Sequence, residues 1–264
     1  MSRAADDVSR DFDELSGVYD ETRHPFDPET IRALGDFLAE HRWTSVLEVG
    51  VGTGRVARPL VELGLRVVGV DASHGMLGRA AEKRLPYLVR GTAYQLPFAD
   101  RVFDVALFVH VLHLLERPES ALREANRVGR GGTLAILDLP PKEGLARSPP
   151  EEEPRRIVRE ILAAAGYPNL VRAGPRAKEQ EILRLYPPSE LRVLSDREVT
   201  EPLSKRLDVL EKRGYRHLLH VPPEVLARAV AAAREKVGTS SVTYRRTEAV
   251  AWWPGLRGPP AGPP

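Results

Sequence analysis

The 264-residue chain contains no cysteine. That excludes disulfides, thiolate metal ligands and any cysteine nucleophile, and it leaves the redox compartment open. Long apolar runs are missing too. None approaches the roughly 20 residues a membrane-spanning helix needs, and the stretch MSRAADDVSRDFDEL is charged where a signal peptide would carry its apolar segment. A soluble cytoplasmic protein with no membrane partner is therefore the expectation. Nor is there an excess of one charge, since 39 Lys and Arg stand against 37 Asp and Glu. Such a balance does not by itself point to nucleic acid. The balance is local as well as global only in part: residues 1–140 hold 17 basic and 21 acidic side chains, residues 141–264 hold 22 and 16. An Arg-rich solvated surface accounts for the second half more economically than a site for acidic substrates. Asn and Gln number two each, a scarcity compatible with a heat-adapted or GC-rich source.

What the chain does have is SVLEVGVGTGR, Ser45 to Arg55. A short apolar, β-branched run is followed by Gly50, Gly52 and Gly54 at alternate positions, and then by a helical pattern. This reads as strand, tight turn and helix. Glycines admit positive φ and let a ligand approach the backbone, and the following helix offers unpaired N–H groups. A bound ligand is expected there.

Upstream, residues 6–23 put Phe12, Leu15 and Tyr19 on one helical face, so an N-terminal helix that acts as a lid is expected. His24-Pro25 breaks it, and Pro28 to His41 forms an amphipathic helix that Asp27 can cap. Downstream, apolar strands near Leu65–Val70, Tyr87–Val89, Phe103–Val109 and Leu134–Leu137 alternate with helices. Such alternation implies parallel pairing with right-handed crossovers and a sheet covered on both faces, an α/β fold. From Pro140 the composition changes to Pro-Pro pairs and acidic residues, which marks a boundary. The expected organisation is N-terminal helices and lid over 1–43, an α/β core over 44–139, a helical cap with one late strand over 140–240, a terminal strand over 241–254 and a tail over 255–264. Within it, strands are expected at Arg197–Thr200 and Val242–Trp252.

A glycine-rich turn alone is weak evidence, because dinucleotide enzymes and purely structural turns use one too. Its spacing is informative. The dinucleotide pattern G-x-G-x-x-G would need a third glycine where Arg55 stands, and no Gly-Lys-Ser/Thr follows for a Walker-type loop. An NAD-linked reductase is disfavoured accordingly. Asp71 ends the second strand, at the carboxyl edge where open α/β sheets bind ligands, and can accept both hydroxyls of a ribose; its alternative is to cap the next helix, a task Ser73 could also perform. Val109, His110 and His113 follow the fourth strand at the same edge. The two histidines could ligate a metal at their i, i+3 spacing, but with no further clustered ligand a pocket-lining role is preferred and no metal is expected.

Taken together and in order, Glu48-Val49-Gly50-Val51-Gly52-Thr53-Gly54, Val70-Asp71-Ala72-Ser73 with Met76-Leu77, Gly91-Thr92-Ala93 with Leu96-Pro97-Phe98, Phe103-Asp104-Val105 and Arg130-Gly131-Gly132-Thr133-Leu134 resemble the class I S-adenosylmethionine-dependent methyltransferases, and most closely their UbiE/small-molecule branch. The resemblance covers about residues 10–138. It implies a Rossmann-like, mostly parallel seven-stranded sheet with helices on both faces and a helical cap insertion. It also implies S-adenosylmethionine along the glycine loop, with Glu48 near its ammonium or the loop backbone, Asp71 and Ala72 at the ribose, and Met76 packed on adenine. Thr92 and Ala93 would meet the adenine edge, although the family often has Asp where Thr92 stands. Val109 would line the same pocket, and Tyr19 and Arg23, in YDETR, match a segment that closes over the donor. The acceptor implied is a small molecule, because Phe108-Val109-His110-Val111 replaces the Asn/Asp-Pro-Pro-aromatic signature used on exocyclic amines of DNA. If a general base is used, His110 or His113 is the candidate, with Asp138 behind them. A donor-binding protein without transferase activity is the alternative. The oligomeric state is not legible.

Overall fold

A computed structural model describes residues 3–23, 26–139, 153–167 and 175–256. In chain order its helices are α1 (Arg3–Leu15), α2 (Pro28–Glu40), α3 (Ala57–Glu62), α4 (His74–Glu82), α5 (Pro118–Val128), α6 (Glu153–Ala164), α7 (Pro175–Leu185), α8 (Ser204–Glu211) and α9 (Pro223–Val237). The strands are β1 (Ser45–Val49), β2 (Arg66–Asp71), β3 (Leu88–Arg90), β4 (Val105–Val109), β5 (Thr133–Leu139), β6 (Glu190–Pro202) and β7 (Ser241–Trp253). They make one seven-stranded sheet in the order β3-β2-β1-β4-β5-β7-β6. Its first five strands run parallel, and β7 pairs with β5 in the opposite direction.

The chain divides into two compact units. One, Phe26–Leu139 with Gly174–Asp196 and Thr247–Pro264, is the α/β unit. Alternation along its strands explains why both sheet faces are covered. Val46, Val105, Leu107, Leu134, Ile136 and Val250 point to one face, where α2, α3 and α4 contribute Leu34, Phe37, Leu60 and Ala80. Their neighbours Leu47, Ala106, Phe108, Ala135, Leu137 and Ala251 point to the other, against Leu122 and Ala125 of α5 and Ile182 of α7. Asp27 caps α2 as expected, accepting from the Glu29 N–H at 2.9 Å, with Pro28 at the first helical position.

The other unit is Met1–Pro25 with Pro140–Ala173 and Arg197–Arg246. Its core is Ile157, Val158 and Leu162 of α6, Leu207 and Leu210 of α8, and Leu226, Val230 and Ala233 of α9. Arg216 binds Asp11 of α1 at 2.8 Å, and Lys212 binds Glu21 at 2.7 Å.

Three sequence expectations differ from the structure in detail. The N-terminal helix stops at Leu15, and Asp20–Thr22 forms a separate 3-10 turn. Here the Ser16 hydroxyl donates to the Asp13 carbonyl at 2.8 Å, a local bond that competes with helix continuation just before Gly17. The strand expected at Arg197–Thr200 is the end of the longer β6. Its charged alternate positions hide it from a search for apolar runs. Finally, the units gather segments that a reading by consecutive blocks keeps apart: α1 and α2 belong to different units, and α7 belongs to the α/β unit rather than with the other late helices. The His24-Pro25 break, the boundary at residues 140–152 and tail residues 257–264 lie outside the described residues.

Candidate functional site

The register of the parallel strands decides which residues share an edge. Val49 pairs with Val70 and with Phe108, Asp71 with Arg90, and Val109 with Ile136. The glycine loop, Asp71, the turn after β3 and the segment after β4 therefore leave the sheet together, at its carboxyl edge.

Gly50, Gly52 and Gly54 all take positive φ, +77°, +55° and +77°. Their surroundings differ. A Cβ on Gly50 would lie 2.6 Å from a Val111 methyl, so that glycine is needed for packing against the segment after β4. A Cβ on Gly52 would meet nothing within 4 Å. The loop backbone is open at that point, as a surface that receives a ligand must be. Gly52 is also where the loop is tied to β2, because its N–H donates to Asp71 Oδ2 at 2.8 Å.

Of the two residues that the sequence offers as the cap of α4, Ser73 is the one that caps it, its hydroxyl accepting from the Met76 N–H at 3.1 Å. Asp71 Oδ1 accepts from the Ser73 N–H at 2.9 Å while Oδ2 takes Gly52. A carboxylate oxygen can accept more than one hydrogen bond, so this arrangement orients Asp71 without exhausting it. Ala72 accepts from Arg90 Nε at 3.3 Å, and Met76 is fully buried under the first turn of α4. Thr92 forms a tight turn, its hydroxyl accepting from the Tyr94 N–H at 3.3 Å, and Ala93 is half-buried beside it.

Glu48 sits on the β1 face that looks towards α3, and is 2% exposed. Burial and the Asp71 charge push its carboxyl up to about 8, opposed only by a hydrogen bond from the Ala57 backbone. Its Oε2 has no hydrogen-bond partner among the described residues. At neutral pH this side chain holds a proton, because an isolated buried carboxylate is expensive.

His110 follows β4 directly, with φ +50°, a conformation rare for a residue with a side chain. Its ring stacks on Phe26 at 5.7 Å and 23°, and the Arg55 guanidinium lies 5.1 Å from the other ring's centroid. Nε2 is 3.8 Å from Glu248 Oε1. Burial lowers the affinity of His110 for a proton, but Glu248, Asp138 and Glu179 outweigh it and hold the imidazole above its ordinary range. His113 is bound elsewhere, by Glu179 Oε1 at 2.9 Å from Nδ1. The two histidines are thus held by different carboxylates. Among the described residues, His110, Asp138 and Glu248 bring their ligating atoms within 4.8 Å of one another.

Tyr19 and Arg23 belong to the other unit. There the Arg23 guanidinium lies 4.5 Å from the Tyr19 ring centroid and 5.2 Å from that of Tyr215. Sequence reasoning did not single out Glu248, Thr30, Ser195 or Phe26. Glu248 carried a signal nonetheless, as the one acid in the otherwise apolar, buried run Glu248 to Ala251.

Comparison with known proteins bears on the family and the fold. Residues 47–137 match the methyltransferase domain family model. The chain is 33% identical over 151 residues to a demethylmenaquinone methyltransferase of Renibacterium salmoninarum, covering 53% of this chain and 63% of that protein. It is 36% identical over 140 residues to an uncharacterised methyltransferase of Mycobacterium bovis, covering 52% and 55%. The chain therefore spans less than two thirds of either relative. Among solved structures, a candidate methyltransferase of an Anabaena variabilis antibiotic biosynthesis pathway superposes with TM-score 0.54 at 13% identity, over 84% of this chain and 97% of that one. A candidate type II methyltransferase of Anaeromyxobacter dehalogenans gives 0.50 at 22%, over 87% and 96%. At these identities the two structures speak for the fold alone. With the ordered motifs, the open glycine loop tied to Asp71 and the methyltransferase domain model matched over residues 47–137, the α/β unit is similar to the class I S-adenosylmethionine-dependent methyltransferases.

Proposed function

We propose that the chain transfers a methyl group from S-adenosylmethionine to a small-molecule acceptor. The observation that carries this reading is the bond from Gly52 to Asp71, which joins an open glycine loop to a carboxylate at the adjacent strand end. Gly50, Gly52 and Gly54 would receive the amino-acid part of the donor, with Glu48 beneath the loop, and Asp71 and Ala72 the ribose. Met76, Thr92, Ala93 and Val109 would border the adenine side. When bound, the donor supplies a methyl carbon on a sulfonium, open to in-line displacement. The chain's part is to hold donor and acceptor at about 3 to 3.5 Å with water excluded, and, where the acceptor carries a proton, to take it. We assign that role to His110, whose affinity for a proton is raised by Glu248, Asp138 and Glu179 against the effect of burial. No helix among the described residues is long and apolar enough to cross a membrane. An acceptor reached from water is consistent with that.

The test is turnover. Incubation of the folded chain with S-adenosylmethionine and a panel of phenols, amines and carbon acids should release S-adenosylhomocysteine with at least one of them. Donor binding without release across the panel would favour a protein that senses the donor and does not transfer its methyl.

A further inference from the structure

Glu248 stands directly opposite Asp138 across the antiparallel β5–β7 ladder. Like charges facing each other on neighbouring strands are destabilising, and Glu248 of this pair is only 1% exposed. Its geometry is over-determined. Oε2 lies 2.7 Å from the Thr30 hydroxyl of α2 and 3.3 Å from the Ser195 hydroxyl of β6, and those two hydroxyls are 2.8 Å apart; with one proton each, they supply two of these three bonds. The two hydroxyls thus hold Oε2, and the other oxygen, Oε1, lies 3.8 Å from His110 Nε2, an ion-pair distance beyond hydrogen-bond reach, so that Nε2 is buried with no hydrogen-bond partner among the described residues. On the far side Phe26 closes the imidazole face. A non-glycine residue at φ +50° persists only where its surroundings enforce it.

We propose that Glu248 is a positioning residue: anchored by Thr30 and Ser195, its carboxylate holds His110 in the orientation and tautomer that take the acceptor's proton. This rests on the methyl-transfer reading above for the proton's source. A carboxylate facing Nε2 favours the tautomer with its hydrogen there, which leaves the Nδ1 lone pair as the base. In the step, the acceptor atom bonds to the methyl carbon as the carbon–sulfur bond breaks and its pair goes to sulfur. The acceptor's proton passes to Nδ1, and the imidazolium so formed faces Glu248 and Asp138. The charged groups facing His110 are these two and Glu179 of α7, and the last is itself bound to His113. Product release and proton loss to water then reset the ring.

The experiment is a nitrogen-resolved NMR titration of His110 in the full chain, compared with Glu248→Gln and Ser195→Ala. Glutamine keeps an acceptor for Thr30 and Ser195, so the fold should survive, and the serine variant weakens the anchor alone. Wild type should show the Nε2–H tautomer and a midpoint above that of an ordinary histidine. Glu248→Gln should lower the midpoint and mix the tautomers, and Ser195→Ala should do so to a smaller extent. With any acceptor that turns over, the acid limb of the kcat profile should shift the same way while KM for the donor stays put. An unchanged His110 titration in folded Glu248→Gln overturns the proposal. So does saturable loss of the His110 signal on adding Mn2+ alone at micromolar concentration, which would make the three groups metal ligands. Failure of every acceptor to turn over would count against the methyl-transfer reading, and the titration still judges the Glu248–His110 coupling.

Discussion

Replacing Asp71 by alanine should raise the dissociation constant for S-adenosylmethionine about ten- to a hundred-fold, the effect of losing roughly 1.5 to 3 kcal/mol from hydrogen bonds to a charged group. The reason lies in what already holds the side chain. Gly52 and Ser73 N–H groups fix its two oxygens at 2.8 and 2.9 Å, so the carboxylate meets a ligand in a set orientation and loses little freedom on binding. Alanine would remove the proposed ribose acceptor and also leave the Gly52 N–H without its Asp71 partner, loosening the loop. Asp71→Asn separates the two effects, since an amide oxygen can keep one backbone bond while the charge is lost. Calorimetry on both variants, with a thermal melt to show they are folded, decides it. An unchanged dissociation constant in Asp71→Ala would reduce Asp71 to a brace between β2 and the loop, with Ser73 alone capping α4.

The second large effect is on stability and concerns Glu48. Its carboxyl holds its proton up to about 8 in the folded chain, against 4.5 for an ordinary glutamate. Between those values the native state keeps a proton that the unfolded chain has released, so stability falls as pH rises. The protonated side chain's contribution is complete below about pH 4.5 and is lost as pH climbs through 8. A shift of this kind amounts to roughly 2 to 5 kcal/mol. Glu48→Gln keeps an acceptor for Ala57 and cannot ionise, so the variant should be spared this loss. Guanidinium denaturation at pH 5.5 and pH 8.5 should show wild type losing markedly more stability than the variant. His110 also titrates, with its stability contribution lost as pH rises through its raised folded value, but it is common to both proteins and cancels in the comparison. Equal losses in wild type and Glu48→Gln would mean that Glu48 is solvated or paired when ionised.

How far the sequence could be read depended on which physical signal each segment carried. The parallel core was legible because buried strands such as Val105–Val109 are continuous apolar runs and the turns between them carry glycine at fixed places. Helix α9, Pro223–Val237, carries proline at its start and Gly238 after its end, the residues that mark helix boundaries in a sequence. The length of β6 was not legible. In this edge strand Leu191 and Val193 are exposed and Asp196, Arg197 and Glu198 follow in succession, so no sustained apolar run announces its length. The site follows the same division. Residues beside the glycine loop are near one another in sequence and could be named from it, whereas the environment of His110 is assembled from Phe26, Asp138, Glu179 and Glu248, on four separate elements or loops. Local patterns carry no record of such pairings. What the sequence did offer was one acid in an otherwise apolar run, Glu248, and a buried acid demands a partner.

The measurement that bears most directly on the central claim is calorimetric titration of the folded chain with S-adenosylmethionine and with S-adenosylhomocysteine, alongside NAD. Saturable one-site heats with the first two and none with NAD are predicted, because the loop ends at Gly54 and has no glycine at Arg55. Folded protein that gives no heat and no thermal stabilisation with either adenosyl compound would contradict the account.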